Sequence, residues 1–382
     1  MRVRLALVVL LALVTAACGS RPGPGTLQVS AAPATSATSH TVLVATTRER
    51  DDRPGSMFNG ERAAALSFAE ASVSVPPDHA PGKIEWPDTP PGDPETDFTL
   101  RASAHLDDAQ FRAALDRELA ARPKGQREVL VFIHGYNTRF PEALYRMVQL
   151  KHDSGLPHVA VLFTWASGGE VTDYLYDTNS ATIARDGLER TLRTIAASRA
   201  EKINILAHSM GNWVLTETLR QIRISGTPLP RAKVGVVSMA APDLDVDVFK
   251  AQLRRTGRPE KPFVILVSRD DRALKASSLL AGGKQRVGAY DHEEELAELG
   301  AVVVDLTEVE SQDMANHGKF AQLAQAAPEL QKLLGSRSLT QDEARGTDAV
   351  TVVGDTVGNT AKAAITLPLR IITAPITVLS GG

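Results

Sequence analysis

The 382-residue sequence contains one cysteine, Cys18, and no excess of basic residues. A single cysteine excludes an intramolecular disulfide and any zinc site built on a cysteine cluster. The formal net charge is −3, whereas a nucleic-acid partner would require a basic surface, so we expect none. There is no glycine-rich phosphate loop with lysine and no pair of histidines at metal-ligand helical spacing. The acidic residues Asp243, Asp245 and Asp247 lack the remaining ligands of a calcium loop, so we predict neither a metal nor a cofactor.

The first eighteen residues have the layout of a secretory signal peptide. Two arginines precede an unbroken apolar run at residues 5–14, which is too short to span a bilayer, and small residues then lead to Cys18. The segment Val-Thr-Ala-Ala-Cys at 14–18 resembles the bacterial lipobox, although Thr15 stands where leucine is usual. We therefore predict a lipoprotein signal peptide at 1–17, a lipid on Cys18, and anchoring to a membrane of the cell envelope on its periplasmic or extracellular face. The alternative is an ordinary cleaved signal with an incidental cysteine.

Composition divides the rest of the chain into a tether, a domain and a tail. Residues 18–40 are rich in Gly, Pro, Ser, Thr and Ala and are predicted to form a flexible tether. A single domain is predicted over 41–335. The hydrophobic tail at 336–382 contains prolines that make it a poor spanning helix, and it could pack on the domain, lie at the membrane surface or be disordered.

The domain has the pattern of an α/β fold. From residue 107 onward, short apolar strands alternate with amphipathic helices, which predicts a mostly parallel central sheet with helices on both faces. Earlier strands are expected to extend one edge of the same sheet. Strands are predicted at 41–46, 72–75, 98–104, 128–133, 159–165, 203–207, 234–239, 263–268 and 301–306. Helices are predicted at 107–121, 141–152, 178–198, 210–224, 246–254, 272–280 and 320–334.

The strongest chemical signal is the segment Ile-Asn-Ile-Leu-Ala-His-Ser-Met-Gly at 203–211. A strand runs into a small-x-Ser-x-small turn and then into a helix, which is the pattern of a nucleophile elbow. Ala207 occupies the first small position, where close packing of helix on strand requires a small side chain. A serine cap of the helix is the alternative reading, but the order of elements favours Ser209 as a nucleophile. We expect His208 to be structural and to hold the elbow from behind.

A serine nucleophile needs a general base and an acid that orients it, and in α/β hydrolases the chain order is serine, acid, histidine. Asp270 and Asp271 follow the predicted strand at 263–268, and only one of two neighbours can serve. We expect the other one to cap the next helix. Of the histidines beyond them, His317 follows the final predicted strand, whereas His292 precedes it. His317 is therefore the predicted base.

An oxyanion hole requires two backbone N–H groups aimed at the developing negative charge. The residue after the nucleophile, Met210, is expected to supply one. The second is expected from Tyr136, in the loop His-Gly-Tyr-Asn at 134–137 that follows an apolar strand. Gly135 allows the unusual backbone angles such a loop needs. The alternative is that this segment is a simple turn.

Several short segments between residues 42 and about 334 form a set that their order makes specific. They are Val-Ala-Thr-Thr-Arg (44–48), the strand and loop at 129–137, Phe-Thr-Trp-Ala-Ser-Gly (163–168), Tyr-Asp-Thr-Asn-Ser-Ala (176–181), the elbow at 206–211, Ala-Pro-Asp (241–243) and Ser-Arg-Asp-Asp-Arg-Ala-Leu (268–274). Together they resemble a bacterial α/β-hydrolase family of unknown function, many of whose members are described as esterase- or lipase-like. The resemblance implies the α/β-hydrolase fold and a Ser-His-Asp triad. Its acid stands immediately before the x-Ala-Leu segment, which favours Asp271 over Asp270, and Asn-His-Gly at 316–318 resembles the family again.

These residues together predict a serine hydrolase that acts on a small-molecule or lipid ester. Ser209, His317 and Asp271 would form the triad and cleave the ester through an acyl-enzyme, with activity falling below about pH 6.5, where a free histidine becomes protonated. Amides, thioesters and peptides are chemically possible substrates because the same triad cleaves all of them. Two other hypotheses stay open: a lipase acting on the membrane beneath it, and a non-catalytic envelope lipoprotein that uses this fold as a binding or scaffolding module.

Overall fold

Twelve strands are found in the described part of the chain. The structure is a computed structural model that describes residues 21–256, 261–311, 313–326, 350–354, 363–367 and 370–372. The strands are β1 (Thr38–Arg50), β2 (Phe58–Val75), β3 (Thr99–Leu106), β4 (Glu128–Ile133), β5 (Val159–Thr164), β6 (Lys202–His208), β7 (Val234–Ala240), β8 (Val264–Val267), β9 (Val302–Asp305), β10 (Val350–Gly354), β11 (Ala363–Leu367) and β12 (Arg370–Ile372).

Ten of these strands form one sheet, in the order β12-β9-β8-β7-β6-β4-β5-β1-β2-β3. The seven strands from β9 to β1 run parallel to their neighbours. At the edges, β2, β3 and β12 pair antiparallel, and β10 and β11 form a separate hairpin. This topology confirms the predicted mostly parallel sheet, with the N-terminal strands extending one of its edges.

Seven α-helices lie within the described residues, and local sequence explains their ends. They are α1 (Asp108–Ala120), α2 (Phe140–Ser154), α3 (Tyr174–Ala197), α4 (Gly211–Ile224), α5 (Val246–Thr256), α6 (Arg272–Leu280) and α7 (Glu293–Glu298). Asp107 caps α1: its carboxylate accepts a hydrogen bond from the backbone N–H of Gln110, whose side chain accepts from the N–H of Asp107 in return. Helix α2 has proline in its first turn and ends at Gly155 with φ +59°.

The apolar side chains of the parallel strands alternate between two buried layers. In β4, Val129 and Val131 face a layer that contains residues of α1, α3, α4, α5 and α7. The intervening Phe132 faces a second layer, formed with α2 and the 3₁₀ helix Lys319–Ala326. The sheet is therefore covered by helices on both faces, as the near-continuous apolar strands predicted.

Some elements differ from the sequence-based expectation. Strand β2 is much longer than the predicted 72–75, because its first part carries polar and half-exposed side chains and so lacks an apolar run. Helix α7, which is short and acidic, was not predicted. The helix expected at 320–334 is a 3₁₀ helix over Lys319–Ala326, and residues 327–334 lie outside the described part.

The segment predicted as a tether packs against the domain where it is described. Arg21 donates hydrogen bonds to the Glu142 carboxylate at 2.8 and 2.9 Å. Leu27 is 3% exposed, and the backbone N–H of Ser30 donates to the carbonyl of Leu100 at 2.9 Å. Residues 21–30 of the predicted tether therefore contact the domain, whereas residues 31–37 are mostly exposed. Composition missed this packing because the partners lie far away in the chain.

The tail and the chain start are described only in part. Strand β12 pairs antiparallel with β9, so this part of the predicted tail packs on the sheet edge. The signal peptide predicted at 1–17 and Cys18 lie outside the described residues. Among the helices that are described, none combines the length and the apolar character needed to cross a bilayer.

Candidate active site

The predicted site residues lie at one edge of the sheet, where the parallel strands end. Ser209 directly follows β6, and the loop at 134–138 follows β4. Asp271 follows β8, and His317 comes after β9. In open α/β sheets this carboxyl edge is where ligands bind. The fold thus brings together side chains that are more than 100 residues apart in the sequence.

Ser209 sits in a strained turn. Its φ is +52°, in the left-handed region that non-glycine residues rarely occupy. The backbone holds it there, because its N–H donates to the carbonyl of Ala240 at 2.9 Å. Gly211 is required next: a Cβ at this position would lie 2.4 Å from the carbonyl oxygen of His134. The Asn212 side-chain amide donates to the carbonyls of Ser209 and Ala240 at 3.1 and 3.2 Å, and so ties the turn to β7.

His317 is paired with Asp271. The ring Nδ1 lies 2.7 Å from Asp271 Oδ2, while Asp271 Oδ1 accepts the backbone N–H of Leu274 at 2.9 Å and so caps α6. The expectation that the other aspartate would be the cap is therefore wrong, because one carboxylate does both. Asp270 instead accepts from Lys319 Nζ at 2.8 and 2.9 Å and from the Asn316 amide at 2.7 Å, and so holds the loop that carries His317.

The charges around His317 favour its protonated form. Burial lowers the pKa of His317, but the negative charge of Asp271 and the hydrogen bond to it outweigh burial, and Asp243 and Asp313 act in the same direction. The pKa of His317 therefore lies above its usual 6.5. His292, the alternative base, has a 66% exposed side chain beside Asp291.

His208 occupies a different place from the one expected. Its ring centroid lies 4.6 Å from that of His317 and 4.4 Å from that of Phe320. Because a carbonyl oxygen only accepts, His208 Nε2–H donates to the backbone carbonyl of His317 at 3.3 Å. Burial holds the pKa of His208 well below its usual value, so the ring is neutral at neutral pH. His208 thus packs between the elbow and the His317 loop, rather than behind the elbow.

The hydroxyl of Ser209 makes no hydrogen bond to any described residue, His317 included. The backbone on both sides of it nevertheless reaches the His317 region. On one side, the neighbouring His208 ring contacts His317. On the other, the N–H of Asp243 donates to the Ser209 carbonyl at 3.2 Å, and the Asp243 charge acts on His317. In the absence of substrate, catalytic hydrogen bonds in such sites are often long or unformed.

The backbone amides of Tyr136 and Met210, the two predicted oxyanion donors, have no acceptor among the described residues. The orientation of the first follows from His134. Its Nε2 accepts from the N–H of Trp165 at 3.1 Å, so the proton is on Nδ1, which donates to the carbonyl of Gly135 at 2.8 Å. In a trans peptide the C=O and the following N–H point in opposite directions. The Tyr136 N–H therefore points away from the His134 ring.

Buried side chains that carried no predicted role hold this loop in place. Arg48 is 1% exposed and donates to the carbonyls of Thr138 and Ser167 at 2.6 and 2.9 Å. Asp177 is fully buried and accepts the N–H of Asn137 at 3.0 Å and the hydroxyl of Ser167 at 2.6 Å. Both belong to segments of the family resemblance, at 44–48 and 176–181, so the sequence contained a signal for them but no role.

The acidic cluster at the start of α5 is occupied by internal partners. Asp243 is buried, lies 3.3 Å from Arg286 Nε, and accepts a hydrogen bond from Ser277 at 2.5 Å. Asp245 accepts the N–H of Asp247 at 2.8 Å, which is ordinary capping. Within the described ranges, no three His, Cys, Asp or Glu side chains are arranged to hold a metal ion.

A cavity of about 670 Å³ adjoins the site. Its walls include Gly135, His208 and His317 from the site itself, and residues of α2 and of the segment at 82–86. Arg21 also lines the cavity, and its guanidinium donates to the side-chain and backbone oxygens of Asn137 at 3.0 and 2.7 Å. A volume of this size accommodates a small organic molecule.

The fold is that of an α/β hydrolase. Over residues 107–337, more than half of the chain, the sequence matches the family described as "Alpha/beta hydrolase of unknown function (DUF900)". The chain belongs to this family, which confirms the resemblance and the fold predicted from the sequence. Comparison with curated proteins gave no match.

Proposed function

We propose that the protein is a serine hydrolase that cleaves carboxylic esters through an acyl-enzyme. One observation carries the proposal: Asp271 and His317 are hydrogen-bonded at 2.7 Å at the sheet edge where Ser209 stands in a strained turn. A buried carboxylate on Nδ1 fixes the tautomer that leaves Nε2 free to accept a proton. A binding module would need no such pair beside a strained serine.

In this proposal Ser209 Oγ attacks the ester carbonyl as His317 Nε2 takes its proton. The oxygen of the tetrahedral intermediate is bound by the N–H groups of Tyr136 and Met210, which have no described acceptor in the free protein. His317 then returns the proton to the leaving alcohol, and Asp271 stabilises the imidazolium throughout. Water then attacks the acyl carbonyl as His317 Nε2 takes its proton. His317 returns this proton to Ser209 Oγ as the carboxylic acid leaves, which regenerates the free enzyme.

A panel of 4-nitrophenyl esters, with matched anilides and thioesters, tests this activity. We expect ester hydrolysis with a burst of nitrophenol equal to the enzyme concentration if deacylation is the slower step. His317→Gln should reduce kcat by several orders of magnitude, whereas the matched control His292→Gln should not. Cleavage of anilides or thioesters without cleavage of any ester would overturn the choice of bond. Equal activity of both histidine variants would overturn the triad.

We further propose that a lipid on Cys18 anchors the protein with this site near a membrane surface. Arg21 lines the cavity, and the three peptide links that join it to Cys18 extend at most about 11 Å. Incorporation of a palmitate analogue into the wild type, and its loss in Cys18→Ala, is the expected result. Labelling that persists in Cys18→Ala would refute this anchor.

A further inference from the structure

The cavity beside His317 has an apolar wall and an unbalanced set of charges. Its apolar wall is formed by Ile84, Trp86, Phe132, Ala143 and Phe320. Five charged side chains other than histidine also line it: Arg21, Lys83, Glu142, Arg146 and Asp313. A ligand would interact mainly with those charges that no other group of the protein neutralises.

Both acidic side chains are fully engaged. Glu142 accepts hydrogen bonds from Arg21 at 2.8 and 2.9 Å and from the backbone N–H of Arg139 at 2.7 Å. Asp313 accepts the backbone N–H groups of three residues and the hydroxyl of Ser311, all between 2.7 and 3.1 Å; the three are Ala315, His317 and Gly318. These carboxylates hold Arg21 and the His317 loop in place.

Arg146, on α2, has no carboxylate partner among the described residues. Its Nη1 donates to the carbonyl of Gly82 at 3.0 Å and to the side chain of Gln149 at 2.7 Å. Neither Nε nor Nη2 donates to a described acceptor. The nearby Asp153 is bonded instead to His79, to Gln149 and to the backbone of Gly82.

Arg146 stays charged at neutral pH. Burial lowers its pKa to about 10, while the more distant charges of Asp153, Asp313 and Glu142 raise it. Lys83, on the same cavity, is exposed and has no ion pair among the described residues. The cavity therefore presents two cations whose charge no directly bonded carboxylate neutralises, beside an apolar wall.

We propose that the substrate carries an anionic oxygen group, a carboxylate or a phosphate, that binds Arg146 and is attracted by Lys83. Two free N–H groups of a planar guanidinium match such a group bidentately. The apolar wall would contact the hydrocarbon part between this group and the ester. The inference rests on the proposed ester hydrolysis and narrows its substrate to amphiphilic, negatively charged esters.

Pairs of esters that differ only in charge test the inference. For the carboxylate arm, 4-nitrophenyl hemiglutarate and hemiadipate are compared with their methyl esters. For the phosphate arm, 1-butyrylglycerol 3-phosphate is compared with 1-butyrylglycerol. The measured quantity is the ratio of kcat/KM for the anionic member to that for the neutral member. The arm with the larger ratio identifies the group.

We expect the wild type to prefer one anionic ester. Arg146→Gln should lower that preference about tenfold to a hundredfold, which is the scale of losing hydrogen bonds to a charged group. The loss should fall on KM, and Arg146→Lys should restore part of it. Lys83→Gln, which removes no internal hydrogen bond, should lower the preference less and make it less salt-dependent. The matched control Arg220→Gln changes an exposed arginine on α4 and should leave the preference unchanged.

The possible failures are distinguishable. If an uncharged fluorophosphonate labels the protein and neutral esters are hydrolysed at least as well as anionic ones, the inference is wrong and the proposed function stands. If no ester is hydrolysed, the proposed function fails, and calorimetric binding of glutaric acid monoanilide decides the inference alone. Binding that Arg146→Gln and Lys83→Gln both weaken would support it, and absence of binding would overturn it. If Arg146→Gln does not fold, the Lys83→Gln result decides.

Discussion

The close approach of Gly135 to the elbow makes Gly135→Ala a sharp perturbation of the candidate site. The added methyl carbon would stand 2.7 Å from the Cβ of Ser209 and 3.1 Å from Nδ1 of His208. Carbon atoms in contact prefer a separation of about 3.5–4.0 Å, so the loop and Ser209 must move apart by about 1 Å. His208 leaves little room for this, since its ring packs between His317 and Phe320.

The size of the effect follows from what this displacement moves. The Tyr136 amide lies directly after Gly135. A shift of the loop away from Ser209 therefore also moves the proposed oxyanion donor away from the proposed nucleophile. A misplacement of about 1 Å costs about 10²-fold in rate, and complete loss of one oxyanion donor costs about 10²–10³-fold. The two costs are not added, because one movement of the loop causes both. We therefore expect kcat to fall by about 10²–10³-fold and the free energy of unfolding to fall by about 1–3 kcal/mol.

Ester hydrolysis and thermal unfolding, measured on the same preparations, check this prediction. Gly23→Ala is the matched control, because a Cβ there meets no atom within 4 Å and its φ is not positive. The control should keep the kcat and Tm of the wild type. If a Gly135→Ala protein with the Tm of the wild type retains kcat within about threefold, the loop does not need this close approach and the prediction is wrong.

Three further predictions concern the base and the support of the loop. Asp271→Asn should lower kcat by about 10⁴-fold, because asparagine no longer selects the tautomer with a free Nε2; a loss below tenfold would contradict this. In the wild type, kcat/KM should rise with pH through a midpoint above 6.5, because the proposed base His317 acts when neutral and its pKa is raised. A midpoint at or below pH 6.5 would contradict this prediction. Arg48→Met should lower stability by about 3 kcal/mol, since it leaves buried carbonyls without donors, while Arg50→Met, at an exposed position of β1, should not; equal Tm values for the two would count against it.

Local patterns predicted the parts of the fold that local forces determine. The apolar runs of β4 and β5 and the helical spacing at 107–121 act within a few residues, and the structure has these elements there. The segment at 203–211 placed Ser209 between a strand and a helix for the same reason. Chain order then placed the predicted acid after β8 and the predicted base after β9.

Contacts between distant residues account for most of what sequence reasoning missed. Arg48 reaches Ser167 across 119 residues, and Arg21 reaches Glu142 across 121. No periodicity in the sequence reports such contacts. The proton position on His134 depends on its contacts with Trp165 and Gly135, which only the assembled sheet edge defines. The double role of Asp271, as helix cap and partner of His317, was missed because the two roles were treated as exclusive.

The proposed ester hydrolysis requires Ser209 to be the nucleophile of an assembled triad. Labelling the purified protein with a fluorophosphonate, followed by mass-spectrometric mapping of the adduct, tests this requirement. We expect one adduct, on Ser209, that is lost in Ser209→Ala, forms much more slowly in His317→Gln, and forms at the wild-type rate in His292→Gln. A folded wild type that takes no label, or takes it on another residue, would contradict the claim.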